Sequence, residues 1–175
     1  MSGKMEVWLL DLGTLYAKQE SIICRGRPQD TSRIHLPVMA VLVRHSGGIL
    51  LFDTGCRPDA MTGGWPANMR EAFPLTRTSE QALTHQLSLC GISPSQVDTV
   101  VLSHLHLDHA GGAHFFPRAK IYVQQEELKH VMADQKNGTL SVFHQKCDLD
   151  NWEQAHLQWV PVPAGVREVP LCPGV

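Results

Sequence analysis

Apolar residues in this chain come mostly in short runs separated by polar, glycine-rich or proline-rich stretches, a pattern of strands and compact helices rather than long helices. The opening strand is expected from Val7 to Leu12, with Val7-Trp8-Leu9-Leu10 as a buried run. Residues 13 to 33 are polar and irregular, and Arg25-Gly26-Arg27-Pro28 marks a loop. Strand character returns over residues 36 to 44, with Pro37 suited to a strand's first residue or to a sheet edge. His45-Ser46-Gly47-Gly48 then predicts a hairpin turn into Ile49-Leu50-Leu51-Phe52, giving two antiparallel strands.

Residues 57 to 78 read as a long loop broken by Pro58, Gly63, Gly64, Pro66 and Pro74. Its Met61, Trp65, Met69 and Phe73 either cover a ligand's apolar chain or pin the loop to the core, and the pattern alone fits both. Thr78-Ser79-Glu80-Gln81 has the form of a capping box. Leu83, Leu87 and Cys90 follow at helical spacing, and Gly91 stops the helix. Ser93-Pro94-Ser95-Gln96 predicts a turn into a strand over residues 97 to 103. A further strand is expected at Ala119 to Val123, a helix at Gln125 to Asp134 with Leu128, Val131 and Met132 inward, and a turn at Asn137-Gly138. Residues 144 to 156 show no clear period, and Leu157 to Val162 reads as a last strand. Strands and helices interspersed with hairpins, rather than strictly alternating, predict an α/β chain built on a mixed sheet with flanking helices.

The chemistry concentrates in Ser103-His104-Leu105-His106-Leu107-Asp108-His109-Ala110-Gly111-Gly112, although the whole chain has only 10 histidines. If Thr99 to Leu102 is a buried strand, alternate residues of the emerging backbone point the same way. His104 and His106 then share one side, and Leu105 and Leu107 pack on the other. Asp108 and His109 are adjacent, so a turn must begin there for both to face a neighbouring position. The arrangement predicts two cation sites a few ångströms apart, one begun by His104 and His106 and the other by Asp108 and His109. Imidazole and carboxylate donors suit zinc and tolerate manganese, iron or cobalt. The glycines that follow are expected to let the backbone pass close to the metals. Isolated histidines such as His35, His45, His85 and His130 are expected to be ordinary structural residues. Asp53, at a strand end, reads on its own as a turn residue bonding nearby amides.

Length and charge narrow the classes. At 175 residues with 43% apolar and 18% charged residues, the chain fits one globular domain spanning residues 1–175. A net charge of -2 with both signs dispersed argues against a nucleic-acid partner. No window approaches the roughly 18 apolar residues of a membrane span. The amino terminus lacks the apolar core of an export signal. Cys24, Cys56, Cys90, Cys147 and Cys172 are scattered without a C-x-x-C pair, so reduced thiols and a cytoplasmic setting are expected.

The string around His104 resembles the H-x-H-x-D-H signature of the metallo-β-lactamase superfamily, and its H-L-H-L-D-H-A-G-G form is most similar to the N-acyl-homoserine lactone lactonases. The resemblance extends to Phe52-Asp53-Thr54-Gly55 and the closing residues 169 to 175. It implies an αββα sandwich of which this chain supplies the first αβ half and the start of the second. That leaves an apolar sheet face exposed, so the chain is expected to be marginal alone, to need further polypeptide, or to self-associate as a homodimer. It also implies two divalent metal ions, zinc above all, with His104 and His106 on one and Asp108 and His109 on the other, and Asp53 orienting ligands. A metal-bound hydroxide would open a lactone or ester ring, with Asp108 steering a proton to the leaving group and acyl-homoserine lactones as the leading small-molecule substrates. The family's later histidines and bridging aspartate have no counterpart here, and neither His144 nor His156 is expected to replace them. The rivals are a glutathione thioesterase of the same superfamily, a β-lactamase proper, disfavoured for want of an export signal, and a catalytically incomplete fragment with partial metal binding.

Overall fold

The computed structural model describes residues 5–18 and 32–169. Its frame is a seven-stranded sheet of order β4-β1-β2-β3-β5-β6-β7. The strands are β1 (Glu6–Lys18), β2 (Arg33–His45), β3 (Gly48–Phe52), β4 (Leu75–Thr76), β5 (Thr99–Val101), β6 (Lys120–Gln124) and β7 (Gln158–Val162). The helices are α1 (Ala67–Ala72), α2 (Leu83–Leu89), α3 (Gln125–Asn137) and α4 (Lys146–Gln154). β4, β1, β2 and β3 pair antiparallel, whereas β3, β5, β6 and β7 run parallel. The mixed sheet expected from the sequence is therefore present, and the hairpin at His45–Gly48 joins β2 to β3.

The helix-covered face carries Leu10, Ala40, Leu42, Leu51, Val100, Ile121 and Val123, all buried. Register explains the opposite face: Leu9 pairs with Val41 and Val41 with Phe52, and side chains paired across strands point the same way. There Val7 is 59% exposed, Leu9 66%, Met39 47% and Phe52 40%. The apolar face expected from half a sandwich is thus open to solvent. The same alternation corrects one reading, since Val7 to Leu10 is not a buried run but a strand with one wet face.

Three other boundaries differ. β1 continues through Gly13, at φ 107 beside a break in register between Asp11 and Thr14, up to Lys18. Pro37 lies beside that break and inside β2 rather than at its start, but in the part of the strand that β3 does not pair with, so the sheet-edge alternative holds. A bulge tolerates proline because the ladder is already interrupted there. The Arg25–Pro28 loop and the closing residues 170 to 175 lie outside the described residues. Residues 57 to 78 are more ordered than a loop, with α1 and the short β4, and Trp65, Met69 and Phe73 are buried in the core. Those side chains pin the segment down. The unassigned stretch before His156 forms α4, which buries Asp148, Leu149 and Trp152.

No helix among the described residues is long and apolar enough to cross a membrane. Cys56 and Cys90 are free thiols.

Candidate metal centre

Parallel pairing of β3 with β5 sets Phe52 beside Val101, so the chain segments leaving the two strands emerge together at their carboxyl ends. Open α/β sheets bind ligands in such crevices. Asp53 leaves β3 there and Ser103 leaves β5. The Asp53 amide donates to the Val101 carbonyl (2.8 Å). Asp53 itself stands at φ 60, a left-handed conformation that costs a non-glycine residue on the order of 1–3 kcal/mol. Its contacts offset that cost. Oδ1 accepts from the Ser103 amide (2.8 Å), and Oδ2 accepts from the Ser103 hydroxyl (2.9 Å) and lies 2.8 Å from His109 Nδ1.

After Ser103 the chain alternates as its sequence predicts. Leu105 and Leu107 are 1% and 3% exposed, while His104 and His106 are half-buried on the donor side. The turn forms where the adjacent Asp108 and His109 require it, with the His109 and Ala110 amides donating to the His106 carbonyl (both 3.0 Å). A latch holds the far end. The Thr54 amide donates to the His109 carbonyl (2.7 Å), the Thr54 hydroxyl does so as well (2.9 Å), and the Gly112 amide donates to that hydroxyl (3.2 Å). Trp152 Nε1 donates to the Ala110 carbonyl (3.2 Å). The glycines serve this latch: a Cβ on Gly111 would lie 2.4 Å from the Arg57 amide nitrogen, and one on Gly112 2.6 Å from the Thr54 carbonyl oxygen. The close approach that demands glycine here is to the Thr54–Arg57 backbone.

The four predicted donors meet. The His104 ring centroid lies 4.4 Å from that of His106 and 4.0 Å from that of His109, and Asp108 Oδ2 lies 3.5 Å from His109 Nε2. They form one cluster. Burial lowers the His104 and His106 pKa values, His106 to about 4, with neighbouring imidazoles adding to the effect, so both rings are neutral donors at pH 7. Burial also opposes charge on His109, but Asp108 and Asp53 outweigh it and raise its pKa to about 9. Burial would raise the Asp108 pKa, yet the hydrogen bond to His109 and that residue's charge bring it below the ordinary carboxylate value. The cluster thus favours positive charge beside Asp108.

These residues fit a divalent cation in kind. His109 turns Nδ1 to Asp53 and Nε2 toward Asp108, and His104 turns Nδ1 to the Ser103 hydroxyl (3.0 Å). An imidazole fixed through one nitrogen presents the other to a metal. Among the described residues, no three His, Cys, Asp or Glu side chains stand as a ready-made cage, so binding requires the donors to adjust. Sequence reasoning did not find Glu127 and weighed His144 only to set it aside as a ligand; both approach the His104–His106 segment. They come from α3 and the loop before α4, and no local spacing links them to the motif. Nor did it find that Thr54 fastens the loop. The Asp53 contact with His109 had no signal apart from the family resemblance.

A family profile described as the metallo-beta-lactamase superfamily matches residues 33–169. The N-acyl homoserine lactonase AiiB of Agrobacterium fabrum is 33% identical over 179 residues, covering 97% of this chain and 65% of that relative. The chain therefore spans just under two-thirds of that relative's length. A crystal structure of a B. thuringiensis AiiA mutant with N-decanoyl-L-homoserine at its active site superposes with a TM-score of 0.74 at 23% identity, over 97% of this chain and 64% of that one. AidC, described as a dizinc quorum-quenching lactonase, superposes with a TM-score of 0.64 at 18% identity, over 97% of this chain and 61% of its own.

Proposed function

Because this chain belongs to the metallo-beta-lactamase superfamily, we propose that it acts as a metal-dependent hydrolase that opens the lactone ring of N-acyl-homoserine lactones. The observation that carries this reading is the convergence of His104, His106, Asp108 and His109 beside Asp53 at the carboxyl ends of β3 and β5. The lactonase names of its relatives support the substrate class, and the dizinc description of AidC supports two zinc ions.

In this reading His104 and His106 hold one cation, and Asp108 and His109 hold the other. Bound divalent cations supply Lewis-acid polarisation of the ester carbonyl and activation of water near neutral pH. The protein's own part is orientation and proton handling. Asp53 fixes the His109 ring through Nδ1, while Leu105 and Leu107 anchor the backbone so that the two preceding histidines keep a common side. Asp108 takes a proton from the attacking water, whose oxygen bonds to the carbonyl carbon, and delivers it to the leaving alkoxide as the ring opens to a hydroxy acid.

The test is hydrolysis of an acyl-homoserine lactone by the zinc-loaded protein, followed as acid release. His106→Ala and Asp108→Ala are each expected to lower kcat/KM by about 100-fold or more, the scale of losing general acid–base assistance or a ligand. Hydrolysis retained in the double variant would overturn the reading.

A further inference from the structure

The backbone between the two leading histidines is held from behind by groups distant in sequence. The Leu105 amide donates to Glu127 Oε1 on the first turn of α3 (3.0 Å), and the Leu107 amide donates to the Phe143 carbonyl (3.0 Å). The His106 ring has two aromatic neighbours. Phe143 stacks on it at 5.0 Å and 28°, and His144 lies against it at 5.0 Å and 58°. His144 is only 6% exposed. Its Nδ1 lies 3.1 Å from the Ser141 hydroxyl, and its buried Nε2 lies 3.4 Å from Glu127 Oε1 without hydrogen-bonding alignment. One carboxylate oxygen thus lies against both the amide before His106 and the imidazole beside it.

We propose that Glu127 and His144 are positioning residues for the His104–His106 pair: Glu127 fixes the Leu105 peptide so that both imidazoles keep the same side, and His144 braces the His106 ring between itself and Phe143. Neither is a metal ligand. A carboxylate one shell behind an imidazole commonly sets ring direction and so donor strength. Glu127 has the charge for this. Burial opposes its ionisation, but the Leu105 amide and His144 outweigh it and leave its pKa lowered.

The inference rests on the metal reading above, and cobalt(II) titration separates the two. The affinity is read by chelator competition and the ligand field by the visible d–d band, with circular dichroism as the control for folding. Glu127→Leu and His144→Leu are expected to weaken cobalt binding about 10- to 100-fold and to shift the band. Glu127→Gln keeps an oxygen acceptor for the Leu105 amide, so it is expected to restore affinity and band to those of the unaltered protein. If Glu127→Leu does not fold, His144→Leu decides. Folded Leu variants with the unaltered affinity and band would overturn this inference alone. No cobalt uptake by the unaltered protein would overturn the metal reading, and this inference with it.

Discussion

Asp53 and Asp148 are both buried carboxylates, 5% and 1% exposed, each facing a cationic partner, yet the fold treats them in opposite ways. Asp53 has donors at both oxygens, from Ser103 and His109, all within 2.9 Å. Asp148 has Arg57 at 3.5 Å from Oδ1, while its buried Oδ2 has no hydrogen bond among the described residues. Arg57 is turned toward Asp59, which it meets at 2.6 Å and 3.1 Å. Desolvation consequently dominates at Asp148 and raises its pKa to about 7, against the pull of Arg57. A buried charge is held cheaply only where hydrogen bonds replace its water. The chain makes that provision where an imidazole must be aimed, and not under α4.

The largest effect that sharpens this contrast belongs to Asp53. Asp53→Ala leaves the His109 ring without its orienting carboxylate and is expected to weaken metal binding by about 10- to 100-fold, measured by chelator competition. Asp148→Ala, equally buried, is expected to leave metal affinity far less altered. If the two variants lost affinity equally, the distinction drawn here would fail.

Next comes the latch that carries His109. Gly111→Ala would place a methyl 2.4 Å from the Arg57 amide nitrogen, where only backbone movement can relieve the clash. A loss of about 1–3 kcal/mol in urea unfolding is expected, the usual cost of overpacking. Gly138→Ala, with φ +70 but open space around its Cβ, provides the comparison. It carries backbone strain without a clash and is expected to cost less. A Gly111→Ala loss no larger than that of Gly138→Ala would show that the backbone near Arg57 yields readily to the added methyl.

A pH slope tests the same contrast from the side of Asp148. The pKa of Asp148 is raised in the folded state from 3.8 to about 7, so between those values the folded chain holds a proton that the unfolded chain has released. That contribution to stability is present below the unfolded pKa and declines as pH rises through the window to about 7. Asp148→Asn is expected to flatten this part of the profile, measured as Tm from pH 5 to pH 8, and to stabilise the protein most at the upper end. An unchanged slope would show that Asp148 does not carry it.

Several of these features were legible in the sequence because they are local. The i, i+2 spacing of His104 and His106 with buried leucines between, the turn forced by adjacent Asp108 and His109, and the glycine-rich hairpin after His45 each need only neighbouring residues to specify them. The exposed face of β1 was legible only through the family resemblance: Val7 and Leu9 are apolar although solvent covers them, so composition alone imitated a strand buried on both sides. Pro37 does lie on a sheet edge, but not at a strand start, because the break beside it comes from Gly13 on the other strand. Trp65, Met69 and Phe73 could have lined a ligand groove or a core, and only the folded position of α1 assigns them to the core. Glu127 had no signal, and His144 was weighed only as a ligand and set aside, since their contacts arise from how α3 and the loop before α4 dock on the sheet.

Cation binding by the four side chains that follow β5 is the proposal on which the others depend. The most direct measurement is metal content after zinc loading and gel filtration, comparing the protein with a variant in which His104, His106, Asp108 and His109 are all alanine. Stoichiometric zinc is expected in the former and loss of that zinc in the latter, with folding retained by circular dichroism. Equal zinc in both, or none in the unaltered protein, would contradict it.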